Sequence, residues 1–283
     1  MVGPEVVRRI TPRPTSPGAA LRDAWAGRRL VVYFGRRFNE KRYLRTFLGP
    51  LWLLLRPVLA ICPQLFVFAV IVPPPAGPVP YVLVFLTGFA TWNLFAESCY
   101  WATRSLELNR KLLRAVPVPP LLMLAGAVAP AVIDTLTTLT FLALAVLLYV
   151  ALDGQLYLDP SLATLLIVPA VLALVLLGLG VALFLAGPAT TARDVRFGLR
   201  FALSAWYFFT PIVYSLAQVP ASIRSLVELN PATAPVQAIR RGLLGSGESS
   251  TLAVASTTVC VLALVVIGLV VFTRAEPRAR KRL

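Results

Sequence analysis

Six stretches of this chain are long and apolar enough to cross a bilayer: roughly 50–72, 80–102, 121–150, 161–187, 198–217 and 251–273. A helix needs about 20 such residues to span the hydrocarbon, and it must satisfy its backbone groups internally. The expected fold is an all-α polytopic membrane protein with six transmembrane helices. The gaps between the stretches carry a second signal. Eleven of the 27 Lys and Arg residues lie before the first stretch, from Arg8 to Arg45. Arg104, Arg110, Lys111 and Arg114 follow the second, Arg193, Arg196 and Arg200 follow the fourth, and Arg274, Arg278, Arg280, Lys281 and Arg282 follow the last. The gaps at 73–79 and 151–160 have none. Cationic loops stay on the cytoplasmic side. Both termini and the gaps near 104–118 and 188–197 are therefore expected there.

The composition removes several functions. The chain is 58% hydrophobic and 14% charged, and its net charge of +15 sits beside membrane segments. That placement fits topology and anionic headgroups rather than nucleic acid. Histidine is absent, which removes the commonest general base and metal ligand. The twelve acidic residues form no paired-carboxylate or metal-ligand cluster in the sequence. No G-x-x-x-x-G-K-[ST] run occurs, so any work done with ATP must pass through another chain. Cys62, Cys99 and Cys260 all fall inside apolar stretches and read as small apolar residues.

Residues 1–20, with Pro4, Pro12, Pro14 and Pro17, read as a disordered tail. In 21–46, Leu30, Val31, Phe34 and Phe38 share one helical face, as in an amphipathic helix lying in the membrane interface. Arg37 and Lys41 fall close to that stripe, which predicts a bend or an end before Lys41. Residues 47–273 make the six-span domain, and 274–283 a basic tail. Pro57 and Pro63 predict kinks in the first span. The third stretch is long enough to require tilt or an interfacial first part. The segment 218–250 is neither a plain loop nor apolar enough to span. Two short helices broken at Asn230–Pro231 fit it, and re-entrant helices between spans five and six account for Arg224, Arg240 and Arg241, the exceptions to the charge pattern.

Four constellations stand out. The run Arg42-Tyr43-Leu44-Arg45-Thr46-Phe47-Leu48-Gly49-Pro50-Leu51-Trp52, then Arg56-Pro57, reads on its own as a basic anchor with an interfacial Trp. The segment 104–118, with Leu106, Asn109, Arg110, Lys111, Leu113 and Arg114, reads as a short amphipathic helix stopped by Pro117 and Pro119. It suits docking in a groove of a cytoplasmic partner, or a solvated loop binding headgroups. Phe85, Trp92 and Phe95 on the second stretch, and Trp206, Tyr207 and Tyr214 on the fifth, offer faces for sugar C–H groups or for helix packing. Arg56, Glu97 and Asp134 are ionisable groups inside apolar stretches, where such groups face protein or water. Asp134, among Thr135, Thr137, Thr138 and Thr140, suits a protonated packing residue or a polar point on a conduit or subunit interface.

Taken in order with Arg193-Asp194, Thr210-Pro211-Ile212-Val213-Tyr214 and Asn230-Pro231, these runs resemble the transmembrane subunits of ABC-2 type exporters, in the polysaccharide, O-antigen and teichoic acid branch. The likeness covers about 22–273. Thr210 stands where that family usually has Ser, and Pro119-Pro120 where a basic residue often follows the helix-ending Pro. The resemblance implies a subunit of the bacterial cytoplasmic membrane with no catalytic site or cofactor of its own. It implies a homodimer with two ABC ATPase subunits, which hold the ATP and Mg, and a glycan or glycolipid substrate. It also implies a coupling helix at 104–118 and an outer gate at 218–250 that includes Arg224, Asn230, Pro231 and Arg240. Efflux of a small amphiphile, drug or lipid is the alternative reading.

Overall fold

In the computed structural model, residues 16–43, 46–71, 77–116 and 118–282 are described, and these are helical with irregular connections. Helix α1 (Pro17–Ala26) opens under the Ser16 hydroxyl, which accepts from the Ala19 amide, with Pro17 in the first turn. It therefore starts inside the stretch read as tail. Helix α2 (Arg29–Tyr43) follows after Gly27. The break thus lies at Gly27, and α2 runs on through Lys41, contrary to the expected bend there. Lys41 tolerates this position because its ammonium reaches acceptors on another helix, described below.

Helix α3 (Trp52–Leu65) contains Pro57 and Pro63 and loosens into wider π-type turns over Phe66–Ile71. A proline ring removes one donor and crowds the preceding turn, which accounts for the irregular end. Helix α4 (Tyr81–Leu108) is 28 residues long, about 42 Å at 1.5 Å per residue. It is the axis of the fold and packs against α6 (Pro120–Gly126), α7 (Ala129–Asp153), α8 (Ile167–Leu185), α9 (Asp194–Phe209) and α11 (Thr233–Leu244). Between α4 and α6 lies the short α5 (Arg110–Ala115). The long third stretch is thus divided into α6 and α7, and its first part packs on α2. Gly126 lets these two backbones meet: a Cβ there would lie 2.5 Å from the Phe34 Cβ. Helices α10 (Ala221–Leu229), α11 and α12 (Thr251–Arg282) complete the chain.

Among the described residues, five helical segments are long and apolar enough to cross a membrane: Gly49–Ile71, Tyr81–Leu108, Pro120–Asp153, Leu162–Leu185 and Thr251–Ala275. Their outer faces expose rows of large apolar side chains, among them Leu54 and Leu59 on α3 with Phe66 just after it, Leu144, Leu147 and Leu148 on α7, and Val259, Leu262 and Val266 on α12. Such continuous apolar surface belongs in lipid rather than water, and the chain is a membrane protein. The stretch 198–217 behaves differently from the other five. Its helix α9 has 16 residues, about 24 Å, and stops at Phe209. The chain then turns through Thr210–Ser215 into α10 and α11, which break apart at Asn230–Pro231 as their sequence suggests.

Candidate functional site

Four charged side chains from four helices meet near the α5 end of the bundle. The Arg42 guanidinium of α2 donates to both oxygens of Asp134 on α7, at 3.1 and 2.7 Å, and to the Pro130 carbonyl at 3.2 Å. Arg56 of α3 donates to Asp134 at 3.5 Å and to Glu97 of α4 at 3.4 Å. The Trp101 indole donates to the other Glu97 oxygen at 2.7 Å, and Arg42 lies over the Trp101 ring, 5.2 Å from its centroid. Two acids and two guanidiniums thus neutralise one another. A forked guanidinium on a carboxylate is the strong, geometrically specific form of this contact. Both Asp134 oxygens accept from Arg42, so its side chain pairs with a guanidinium rather than with its threonine neighbours. The hydroxyls of Thr135, Thr137, Thr138 and Thr140 bond the carbonyls one turn back on their own helix.

Beside this cluster, α3, α4 and α9 enclose a groove of about 410 Å³, open on one side. Trp92, Glu97 and Tyr100 of α4 line it with Gln64 of α3 and Arg200 and Tyr207 of α9. The Tyr207 hydroxyl donates to the Gln64 side-chain carbonyl and closes the groove between α3 and α9. Arg200 covers the Tyr100 ring at 4.3 Å, a cation–π contact. The walls therefore combine flat apolar faces with isolated polar groups, the usual make-up of a ligand site. Of the six aromatics expected on a pathway, Trp92 and Tyr207 line this groove. Phe85 and Phe95 do not: both are 0% exposed and belong to the core. Phe85 stacks on Phe89 at 5.7 Å, and Phe95 meets Trp206 edge-on at 5.1 Å. Trp206 points its indole N–H at Asn230 instead, at 2.9 Å. Tyr214 lines a separate cavity at the far end.

At the α5 end, Leu106 and Leu113 are buried with Phe34, Phe38, Leu122 and Met123. These leucines pack inside the chain at this end of the bundle. Asn109 is buried as well. Its amide donates to the Ser105 carbonyl at 2.9 Å and its oxygen accepts from Lys41 at 3.0 Å. Lys41 also caps the Leu108 carbonyl at 2.7 Å, and burial, then the nearby Arg37 charge, lower its pKa. Lys111 and Arg114 are exposed and Arg110 is half-buried, so the cationic side of α5 is the available one. Arg196 at the start of α9 reaches Glu107 at 2.7 Å, and Arg104 approaches the same acid at 3.6 Å.

At the opposite end, the turn after α9 is held by side chains. Asn230 donates to the Phe209 carbonyl at 3.1 Å and to the Thr210 hydroxyl at 2.9 Å, and accepts from the Ala232 amide at 3.0 Å. Pro231 accepts from the Thr257 hydroxyl at 2.9 Å. Arg240, 2% exposed, donates to the carbonyls of Pro211 at 2.7 Å, Ile212 at 2.5 Å and Tyr214 at 3.5 Å. Arg224 pairs with Glu228 at 3.1 Å and Glu248 at 3.5 Å. Gly88 of α4 makes room for this: a Cβ there would stand 2.6 Å from the Arg240 guanidinium and 3.1 Å from the Ile212 carbonyl oxygen. Among the described residues no group of acids and cysteines is placed to hold a metal ion.

The family model for the ABC-2 type transporter matches residues 29–244, most of the chain. The chain belongs to the ABC-2 type transporter family. Its similarity extends to the O-antigen export system permease protein RfbA of Myxococcus xanthus, 26% identical over 213 residues, covering 75% of this chain and 78% of that protein. The matched region of this ABC-2 chain contains α2–α11, and so the charge cluster, the groove and the turn held by Arg240. Arg42 and Trp101 belong to the cluster, although the sequence marked one only as an anchor residue and gave no sign for the other. The groove residues Gln64, Tyr100 and Arg200 were missed too. The spacing of Arg200, Leu203, Ser204 and Tyr207, one and two turns apart on α9, was the available signal.

Proposed function

We propose that this ABC-2 chain is the transmembrane subunit of an ATP-driven exporter of a cell-surface polysaccharide or lipid-linked glycan. The observation that carries the reading is the groove between α3, α4 and α9. Indole and phenol faces suit the C–H faces of sugar rings, while Gln64, Asn93, Ser204 and Glu97 suit hydroxyls. Its open side invites a second copy of the chain, whose matching groove would complete a conduit with two-fold symmetry. The α5 end is then cytoplasmic, with α5 and its cations Arg110, Lys111 and Arg114 on a separate ABC ATPase that binds ATP and Mg. The short α9 serves as the fifth crossing. Helices α10 and α11 re-enter from the outer face as a gate, which brings the count of crossings to six in a bacterial cytoplasmic membrane. ATP binding alters the contact at α5, and the open and closed conduits differ in their contacts with substrate, as any driven switch requires.

Purification of the tagged chain from its native membrane tests this. The expected result is co-purification of an ATPase, together with hydrolysis stimulated by the glycan fraction of the same cells. Stimulation by hydrophobic drugs but not by glycan would overturn the substrate assignment. Purification without an ATPase would overturn the exporter reading itself.

A further inference from the structure

A second cavity, of about 730 Å³, opens at the end opposite α5. It lies where the start of α4, the end of α7, the turn after α9 and the link between α11 and α12 meet. Tyr81, Tyr149 and Tyr214 contribute rings, and Gln218, Gln237 and Arg240 contribute polar groups. This volume falls within the roughly 300–1,000 Å³ typical of small-molecule sites. Gln237 and Arg240 are 3% and 2% exposed, and each carries a buried nitrogen with no partner, Nε2 of Gln237 and Nε of Arg240. Both orphaned groups are donors, so the missing partner is an acceptor. Arg240 also has no carboxylate within ion-pair distance among the described residues, and its observed partners are carbonyls. Glu248, the one acid on the wall, is turned to Arg224. A buried cation without a counter-charge favours an anion.

We propose that this cavity is a binding site for a single sugar unit bearing an anionic group, a carboxylate or a phosphate. The anion sits on the Arg240 and Gln237 side and the ring lies among the tyrosines. The two orphaned nitrogens are buried in the wall behind the cavity surface. The proposal rests on the export reading, in which this end faces outward, and gives the departing glycan a last foothold before release.

The test is saturation-transfer NMR on the full chain, with its ATPase, in lipid nanodiscs, using glucuronate, glucose and inorganic phosphate. Glucuronate should receive saturation, and glucose clearly less. Tyr149→Ala and Gln237→Met should each weaken glucuronate binding, the latter about tenfold for one lost bond to a charged group. Arg240→Met is uninformative alone because it also releases the turn, so the other two variants decide. Competition by phosphate at equal concentration assigns the anion as phosphate, and failure to compete assigns it as carboxylate. No transfer to glucuronate, equal transfer to glucose, or unchanged binding in both variants overturns the site. If the complex still exports glycan in that case, the site fails alone. If deletion of the chain leaves surface glycan intact, the export reading fails whatever binds here.

Discussion

Replacing Asp134 with asparagine should be among the most damaging conservative changes in this chain. The carboxylate receives two bonds from Arg42 and one from Arg56, and the side chains of Arg42 and Asp134 are only 3% and 10% exposed. Asparagine keeps the shape but leaves two guanidiniums facing one acid, Glu97. Removing one member of a buried ion pair typically costs about 3–5 kcal/mol. Arg56 is 38% exposed and can turn toward solvent, and Arg42 retains the Pro130 carbonyl, so the lower figure applies. For a chain of this size, about 3 kcal/mol corresponds to a fall of about 6–10 °C in melting temperature. The double variant Arg42→Met/Asp134→Leu removes both charges and fills the space with apolar groups. It should lie within about 1 kcal/mol of the parent, well above the sum of the single changes. Intrinsic tryptophan fluorescence during heating, at fixed detergent and protein concentration, measures this. If Asp134→Asn melts within about 2 °C of the parent, or if the double variant is as unstable as the summed singles, the cluster is not the buried, neutral unit described here.

Three further outcomes follow from local geometry. Gly88→Ala places a methyl 2.6 Å from the Arg240 guanidinium and 3.1 Å from the Ile212 oxygen; the overpacking should cost about 1–3 kcal/mol, read as a lower melting temperature. Glu107→Arg gathers three arginines at the α4–α9 contact and should impair export with little loss of stability, because the pair is about a quarter exposed; adding Arg196→Glu should restore export, and failure of that rescue would deny the contact a role. Lys111→Glu with Arg114→Glu should leave the melting temperature unchanged but reduce co-purification of the ATPase. An unaffected complex would place the docking face elsewhere.

Apolar length and charge placement made most of the architecture legible. Both are local properties, set by the solvent each segment must occupy. The helix break at Asn230–Pro231 and the irregular α3 were legible for the same reason, since proline acts on its own turn. What the sequence concealed were contacts between distant residues. Arg42 looks like an interfacial anchor because its partner, Asp134, is 92 positions away. Lys41 appears to spoil an apolar stripe because its acceptors, Leu108 and Asn109, are 67 and 68 positions on. Phe85 and Leu113 sit on plausible functional faces, and only packing reveals that those faces are internal. The run through 198–217 is apolar along its length, yet its helix ends at Phe209. Nothing local to it announces that Tyr81 and Arg240 will satisfy the carbonyls of a turn.

That turn bears on which wall of the groove moves. Each carbonyl from Phe208 to Tyr214 has a donor: Tyr214 bonds Phe208, Asn230 bonds Phe209, the Ile212 amide bonds Thr210, Arg240 bonds Pro211, Ile212 and Tyr214, and Tyr81 bonds Val213. Irregular backbone at membrane depth persists only when satisfied in this way. At this end Arg240 ties the turn to α11 and Tyr81 ties it to α4 through the Val213 carbonyl, and at its other end α9 is tied to α4 through Arg196 and Glu107. Helix α3 is the weaker wall: its most apolar stretch is 11% buried, against 72% for that of α4. It carries two prolines and meets α9 through the Tyr207–Gln64 bond. Opening the groove on the α3 side breaks that bond and the 3.4–3.5 Å contacts of Arg56, and leaves the carbonyl ladder intact. Local opening free energy follows such differences in burial and bonding. Amides of residues 54–65 should therefore exchange with deuterium faster than those of 83–106 in the nanodisc complex, and faster still during ATP turnover. Equal protection of the two helices would place the hinge elsewhere.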